Sequence, residues 1–157
     1  MKQRFLLMAV ALLLAVGTQA QNMRGRIYYN GNMSVSHLLR DKSDETAEER
    51  KERERVMDEI FTMSVTIEFP ESHKLRAKMK IIMDQERAKE LGVSWTNRKL
   101  WQADLTIAAK MHNYTKRYWV IDNSIKLEDD TEMTLSEDGE QLMINDSRMQ
   151  ATLKRIK

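Results

Sequence analysis

The sequence predicts a mainly β chain, an antiparallel up-and-down barrel, on three observations. Short runs of alternating apolar and polar residues recur along it, eight to ten in all. Turn-forming Asn, Asp, Gly and Pro separate these runs at close spacing. Two charged stretches, at about 41–60 and 84–101, interrupt the alternation and read as helical insertions.

The first twenty residues precede that pattern. Lys2 and Arg4 form a basic start, residues 5–16 (FLLMAVALLLAV) are uncharged and apolar, and Thr18 and Ala20 supply small residues before Gln21. This is the layout of a cleaved secretory signal peptide. The apolar run is shorter than the roughly 20 residues that span a bilayer. No cysteine follows the cut, so a lipoprotein anchor is not expected, and residues 21–157 read as a single domain. The expected location is the periplasm or the cell exterior. Subtracting Lys2 and Arg4 from the 26 cations leaves 24, against 24 Asp and Glu, so the mature chain is formally neutral. Neutrality argues against a nucleic-acid partner, and no second segment suggests a membrane span. The absence of cysteine excludes disulfides, thiolate metal sites and thiol nucleophiles. It also suits a bacterial envelope better than an animal secretory route, so the sequons at Asn32, Asn113 and Asn145 are read as chance matches.

The elements follow in order. Residues 24–29 and 32–38 flank Asn30-Gly31 and read as a hairpin, because Asn-Gly supplies the positive φ of a two-residue turn. Residues 61–69 alternate without a break, with Phe61, Met63, Val65, Ile67 and Phe69 on one face. After the turn Pro70-Glu71-Ser72-His73, residues 74–81 alternate again, with Leu75, Ala77, Met79 and Ile81 opposite Lys74, Arg76, Lys78 and Lys80. Ala103, Leu105, Ile107, Ala109 and Met111 read as a further strand, whose phase is lost at His112-Asn113. Residues 116–121 read as a strand apolar on both faces, turned by Asp122-Asn123-Ser124 into 125–128. Residues 131–136 and 140–145 flank the Glu137-Asp138-Gly139 hairpin loop, and Asp146-Ser147 turns the chain into 148–156.

The insertion at 41–59 carries a capping box, Thr46 with Glu49, and opposite-charge pairs Glu49–Arg53 and Arg55–Glu59. Its apolar residues gather at Val56, Met57, Ile60 and Phe61, so it is expected to dock by its last turn. In the second insertion Asp84 reads as an N-cap, Gly92 as a C-cap after Leu91, and Ser94 as the start of a second short helix bearing Trp95, Leu100 and Trp101.

Chemistry is harder to find. His37, His73 and His112 fall in separate segments without the spacing of a zinc site. The acidic turn Glu128-Asp129-Asp130 with Glu132 lacks the pattern of a calcium loop. There is no nucleophile elbow and no glycine-rich phosphate loop. The methionines are spread along apolar faces (Met63, Met79, Met111, Met133, Met149, with Met143), which favours core filling over soft-metal binding. The expectation is therefore a protein without catalytic residues, cofactor or metal. Two clusters are candidates for binding. Lys74, Arg76, Lys78 and Lys80 project from one strand face, either as a wet outer face or as an anion-binding surface. Trp95, Trp101, Tyr118 and Trp119 lie close in sequence, either packing the insertion onto the barrel or lining a mouth where an apolar ligand stacks.

The C-terminal run carries a resemblance. Trp119-Val120-Ile121-Asp122-Asn123-Ser124-Ile125-Lys126-Leu127, then Met133-Thr134-Leu135-Ser136-Glu137-Asp138-Gly139, Leu142-Met143-Ile144 and Ala151-Thr152-Leu153-Lys154-Arg155-Ile156 resemble the closing meander of small secreted lipocalin-like (calycin-type) barrels of Gram-negative bacteria. The likeness covers about 61–157. Gly25-Arg26-Ile27-Tyr28 stands where that family has a glycine-tryptophan start, and both insertions are additional. The resemblance implies non-covalent binding of a small apolar or amphipathic ligand without catalysis. The alternative is a structural or interaction module of the cell envelope, meeting an envelope protein or an anionic polymer through helix 41–59 or the basic face 74–80.

Overall fold

The computed structural model describes residues 23–38, 44–145 and 149–157. Eight antiparallel strands follow one another around a closed barrel, so the expected class is the one the chain adopts. They are β1 (Ile27–Met33), β2 (Phe61–Glu71), β3 (Lys74–Met83), β4 (Tyr114–Ile121), β5 (Ser124–Leu127), β6 (Glu132–Leu135), β7 (Gln141–Asn145) and β8 (Gln150–Arg155). The helices are α1 (Ala47–Ile60), α2 (Gln85–Glu90) and α3 (Trp95–Met111), with a single 3-10 turn at Ser36–Leu38.

The alternation read in the sequence decides which side chains point inward. Phe61, Met63, Val65, Ile67 and Phe69 of β2 are all buried, as are Leu75, Ala77 and Met79 of β3. The register pairs Val65 with Met79 and Ile67 with Ala77, so the two apolar faces coincide. Ile125, Leu127, Met133, Leu142, Ile144 and Leu153 continue the interior around the barrel.

The two ends of the barrel differ. At one end the strands are joined by tight turns, and the turn residues His73, Asp122 and Gly139 take positive φ of 62°, 54° and 72°. This end is sealed by an aromatic layer. Phe69 meets Tyr28 edge to face at 6.1 Å and Tyr118 at 5.0 Å. The Tyr28 hydroxyl donates to the Gly139 carbonyl at 2.7 Å, tying the β6–β7 turn to β1. Backbone bonds from Gly25 to Phe69 and from Ile27 to Lys157 lace both chain ends across it.

All the helices among the described residues lie in the connections at the other end. α1 begins with the expected capping box: Thr46 Oγ1 accepts from the Glu49 amide, and Glu49 accepts from the Thr46 amide at 2.9 Å. Its outer face is held by charge, with Arg55 between Glu52 and Glu59, while Met57 and Ile60 are buried. Arg53 forks onto Glu45 with two bonds of 2.7 Å, while the Glu49 carboxylate turns back to Thr46. Asp58 then accepts from the amides of Val35 and Ser36 and from Ser34 Oγ, fastening α1 to the chain leaving β1. α2 has the expected Asp84 cap and ends at Leu91 before Gly92, whose φ is 68°.

Two expectations are corrected. Asn30-Gly31 does not turn a hairpin; both lie within β1, where the pairing with β2 shifts between Asn30 and Met33. The Asn30 side chain donates to the Thr152 carbonyl on β8. The ring of Tyr29 lies over Gly31, and a Cβ there would push its exposed hydroxyl end aside. Residues 103–111 are not a strand. α3 continues from its Ser94 cap to Met111, so the second insertion runs past 101. Leu105 and Ala109 are buried and Trp101 and Ala108 half-buried, a period of 3.6, while Ile107 and Met111 of the supposed inner face are exposed. Ala, Leu, Lys and Met favour the helix, and no breaker intervenes before Asn113. The loop residues 146–148 and the start of the first insertion, 41–43, lie outside the described residues.

The aromatic seal gives a direct stability test. Phe69→Ala is expected to cost about 3–5 kcal/mol, read from the urea unfolding midpoint. Trp119→Ala, on the outer face of β4, is expected to cost less than about 1 kcal/mol. Equal effects would contradict the assignment of inner and outer faces.

Candidate functional site

The helix end holds a recess in the barrel. Its origin is the length of β4. β3 pairs with β2 up to Met83, but with β4 only from Lys74 to Ala77. Beyond Ala77 the partner strand is missing, and α3 packs against β3 in its place. The Met79 amide, which would otherwise face that gap unpaired, donates to Asn113 Oδ1. A cavity of about 370 Å³ opens here. Val65, Ile67, Ala77 and Ile144 form part of its wall, and Met79, Met111, Met133 and Met149 bring four thioethers to it. Methionine is flexible and polarisable, so such a wall adapts to ligands of varied shape.

Two lysines line this recess: Lys78, on the outer face of β3 and paired with Glu68 at the edge, and Lys116, which points inward. The register sets Lys116 opposite Leu75, whose side chain is in the core, and sets its neighbour Tyr114 opposite Ala77. Directly opposed residues of an antiparallel pair share a face, so Lys116 is directed to the barrel interior. Its ammonium pairs with the carboxylate of Asp129, on the β5–β6 turn, and stands 4.3 Å from the centre of the Tyr114 ring. The Lys116 side chain is 24% exposed, whereas Lys74, Arg76 and Lys78 are 42–51% exposed. The hydrogen bond from Lys116 holds the Asp129 carboxyl below its ordinary pKa, aided by Thr131. His112, at the C-terminal end of α3, Thr131 and Lys78 complete the polar part of the lining.

The aromatic candidates read from the sequence are not brought together. Tyr118 is buried in the sealed end, where burial raises the pKa of its hydroxyl. Trp119, next to it on β4, points outward and is 47% exposed. Trp95 is 66% exposed at the start of α3. Trp101 is half-buried, on the floor of an open groove of about 630 Å³ between α1 and the α2–α3 junction. Val56, Leu91 and Val93 share that floor, and Glu48, Glu49 and Glu52 stand along it.

The basic row does share a face, as expected, but much of its charge is taken. Lys74 pairs with Glu71 at 3.1 Å, and Glu68 receives both Lys78 at 2.7 Å and Arg76 at 3.7 Å. His73 occupies the β2–β3 turn and His112 the mouth, and the side chain of His37 lies outside the described residues. Among the described residues no three His, Asp or Glu side chains gather as metal ligands. No helix there is long and apolar enough to cross a membrane.

Lys116 escapes a reading of the sequence that restarts the strand at 116. The signal is present one turn earlier: Tyr114, Lys116, Tyr118 and Val120 alternate, so the lysine interrupts an otherwise apolar face. Asp129 is visible only as one of three consecutive acids, and its tie to Lys116 comes from the fold.

In comparisons with known proteins, no family model, curated protein or solved structure matches the chain.

The ion pair has a pH signature. A carboxyl whose pKa is lower in the folded than in the unfolded state stabilises the fold above the unfolded value. That contribution is lost as the pH falls through the folded value. Below about pH 4 the unfolding midpoint is therefore expected to fall less steeply in Asp129→Asn than in the parent. Parallel pH profiles would show that the pair adds nothing to stability.

Proposed function

We propose that the protein is an exported, non-enzymatic, lipocalin-like carrier that holds a small apolar or amphipathic molecule in the helix-end mouth of its barrel. The observation that carries this reading is the asymmetry of the barrel. One end is filled by Tyr28, Phe69 and Tyr118, while the other opens into a recess of about 370 Å³ where methionines meet a polar rim of His112, Lys116, Asp129 and Thr131. That size lies within the range of small-molecule sites, and burial of each ligand methylene there contributes about 0.8 kcal/mol. The N-terminal sequence supports export to the periplasm or cell exterior, with residues 21–157 as the working domain. The closed antiparallel meander supports the lipocalin-like assignment.

A second reading rests on the groove beside α1. Its apolar floor of Val56, Val93 and Trp101 and its glutamates suit a cationic segment of an envelope protein. The Lys74–Lys80 face offers a weaker hold on an anionic polymer, because three of its cations already pair with Glu68 and Glu71.

Native mass spectrometry of the protein purified from its host envelope separates the two. A small-molecule mass that leaves on denaturation is expected. In a parallel assay with the neutral dye Nile red, Ala77→Phe is expected to abolish dye uptake by filling the recess while the chain still unfolds cooperatively. Undiminished dye uptake by that variant, with a clean protein mass from the host, would favour the interaction reading.

A further inference from the structure

Register turns position 116 inward, where the other β4 residues of that face are Tyr114, Tyr118 and Val120 and a lysine is the exception. Alternating outward positions of the same strand, such as Thr115 and Arg117, would carry a cation in water at no cost. Inside, it sits against the Tyr114 ring at the rim of an apolar wall, and its compensation comes from a turn that is itself exposed: the Asp129 side chain is 42% accessible. An inward ammonium whose counter-ion is partly in solvent is a charge that another anion can reach.

We infer that the ligand of the mouth is an anionic amphiphile. Lys116 takes its carboxylate, sulfonate or phosphate head, and Asp129 is a resident counter-ion that the head displaces. The inference rests on the carrier reading above and adds the chemical class of the ligand. The apolar body of such a molecule lies against Met111 and Met149 at the mouth, and its deeper end meets Met79, Met133 and Ile144, buried side chains that shift to admit it. Tyr114 keeps the ammonium partly desolvated, which strengthens its interaction with a headgroup and disfavours one that brings no charge. The arrangement assigns opposite roles to two residues in direct contact. Removing the cation weakens binding, and removing its competitor strengthens it.

Decanoate and 1-decanol share a ten-carbon chain and differ in head charge, so displacement of Nile red by each tests the inference on the whole protein. Decanoate is expected to bind at least about tenfold more tightly than decanol, in keeping with a charge-assisted hydrogen bond. Lys116→Gln is expected to remove that preference and Lys116→Arg to retain it. Asp129→Asn is expected to tighten decanoate severalfold and widen its preference over decanol. Equal affinity for the two chains, or a decanoate affinity indifferent to Lys116→Gln, would overturn the inference and leave the carrier reading standing. Weaker decanoate binding in Asp129→Asn would overturn the counter-ion role. Failure of dye, decanol and decanoate alike to bind the parent protein would remove the carrier reading itself, and the inference with it.

Discussion

Register around the closed sheet is the constraint on which the rest of the structure depends. Because side chains alternate across a strand, pairing fixes the inner and outer identity of every residue once one is set. The closing pair is short: Tyr28 faces Arg155 and Tyr29 faces Lys154. Bonds between Ile27 and the chain end at Ile156 and Lys157 extend it. With that closure in place, Tyr28 is inside and meets Phe69, and Phe69 meets Tyr118. The same phase, followed two residues back along β4 from Tyr118, delivers Lys116 to the interior. A slip of one residue between β3 and β4 would send the lysine to solvent and Arg117 to the core. The apolar packing that forbids the slip therefore also holds the candidate site in place.

The second determinant is the mismatch between β3 and β4. Here β4 starts opposite Ala77, and the chain that might have extended it is wound into α3. A helix packs less closely against a sheet edge than a hydrogen-bonded strand does, and the recess is the space left over. Asn113 repairs the Met79 amide, which the exchange leaves facing the gap. α1 is anchored through Asp58, Met57 and Ile60, and none of its residues lines the recess.

Much of this was legible in the sequence, for physical reasons that differ by element. The alternation of 61–69 and 74–81 is long and unbroken, so strands, faces and the basic row could be read directly. The helix caps at Thr46, Asp84 and Ser94 were readable because capping is local chemistry. Residues 103–111 were not, because Leu105 and Ala109 satisfy a period of two and of 3.6 equally, and only packing against β3 selects the helix. Asn30-Gly31 has the composition of a turn but lies inside β1, paired with β2 and bonded to β8, so tertiary pairing outweighed local preference. The candidate site was the least visible part. Lys116 and Asp129 are unremarkable residues apart, and their meaning arises from a register and a turn that bring them to one cavity.

The central claim is that the ligand enters the helix-end mouth and nowhere else. The methionines are natural reporters, because Met79, Met111, Met133 and Met149 line the recess, Met23 is buried beyond the sealed end, and Met143 lies on the outer face of β7. Methyl NMR of ε-¹³C-methionine protein titrated with decanoate tests it directly. Saturable shifts of the four mouth methyls, with Met23 and Met143 unmoved, are the result the account requires. Shifts confined to Met23 or Met143, or no shift at saturating decanoate, would contradict it.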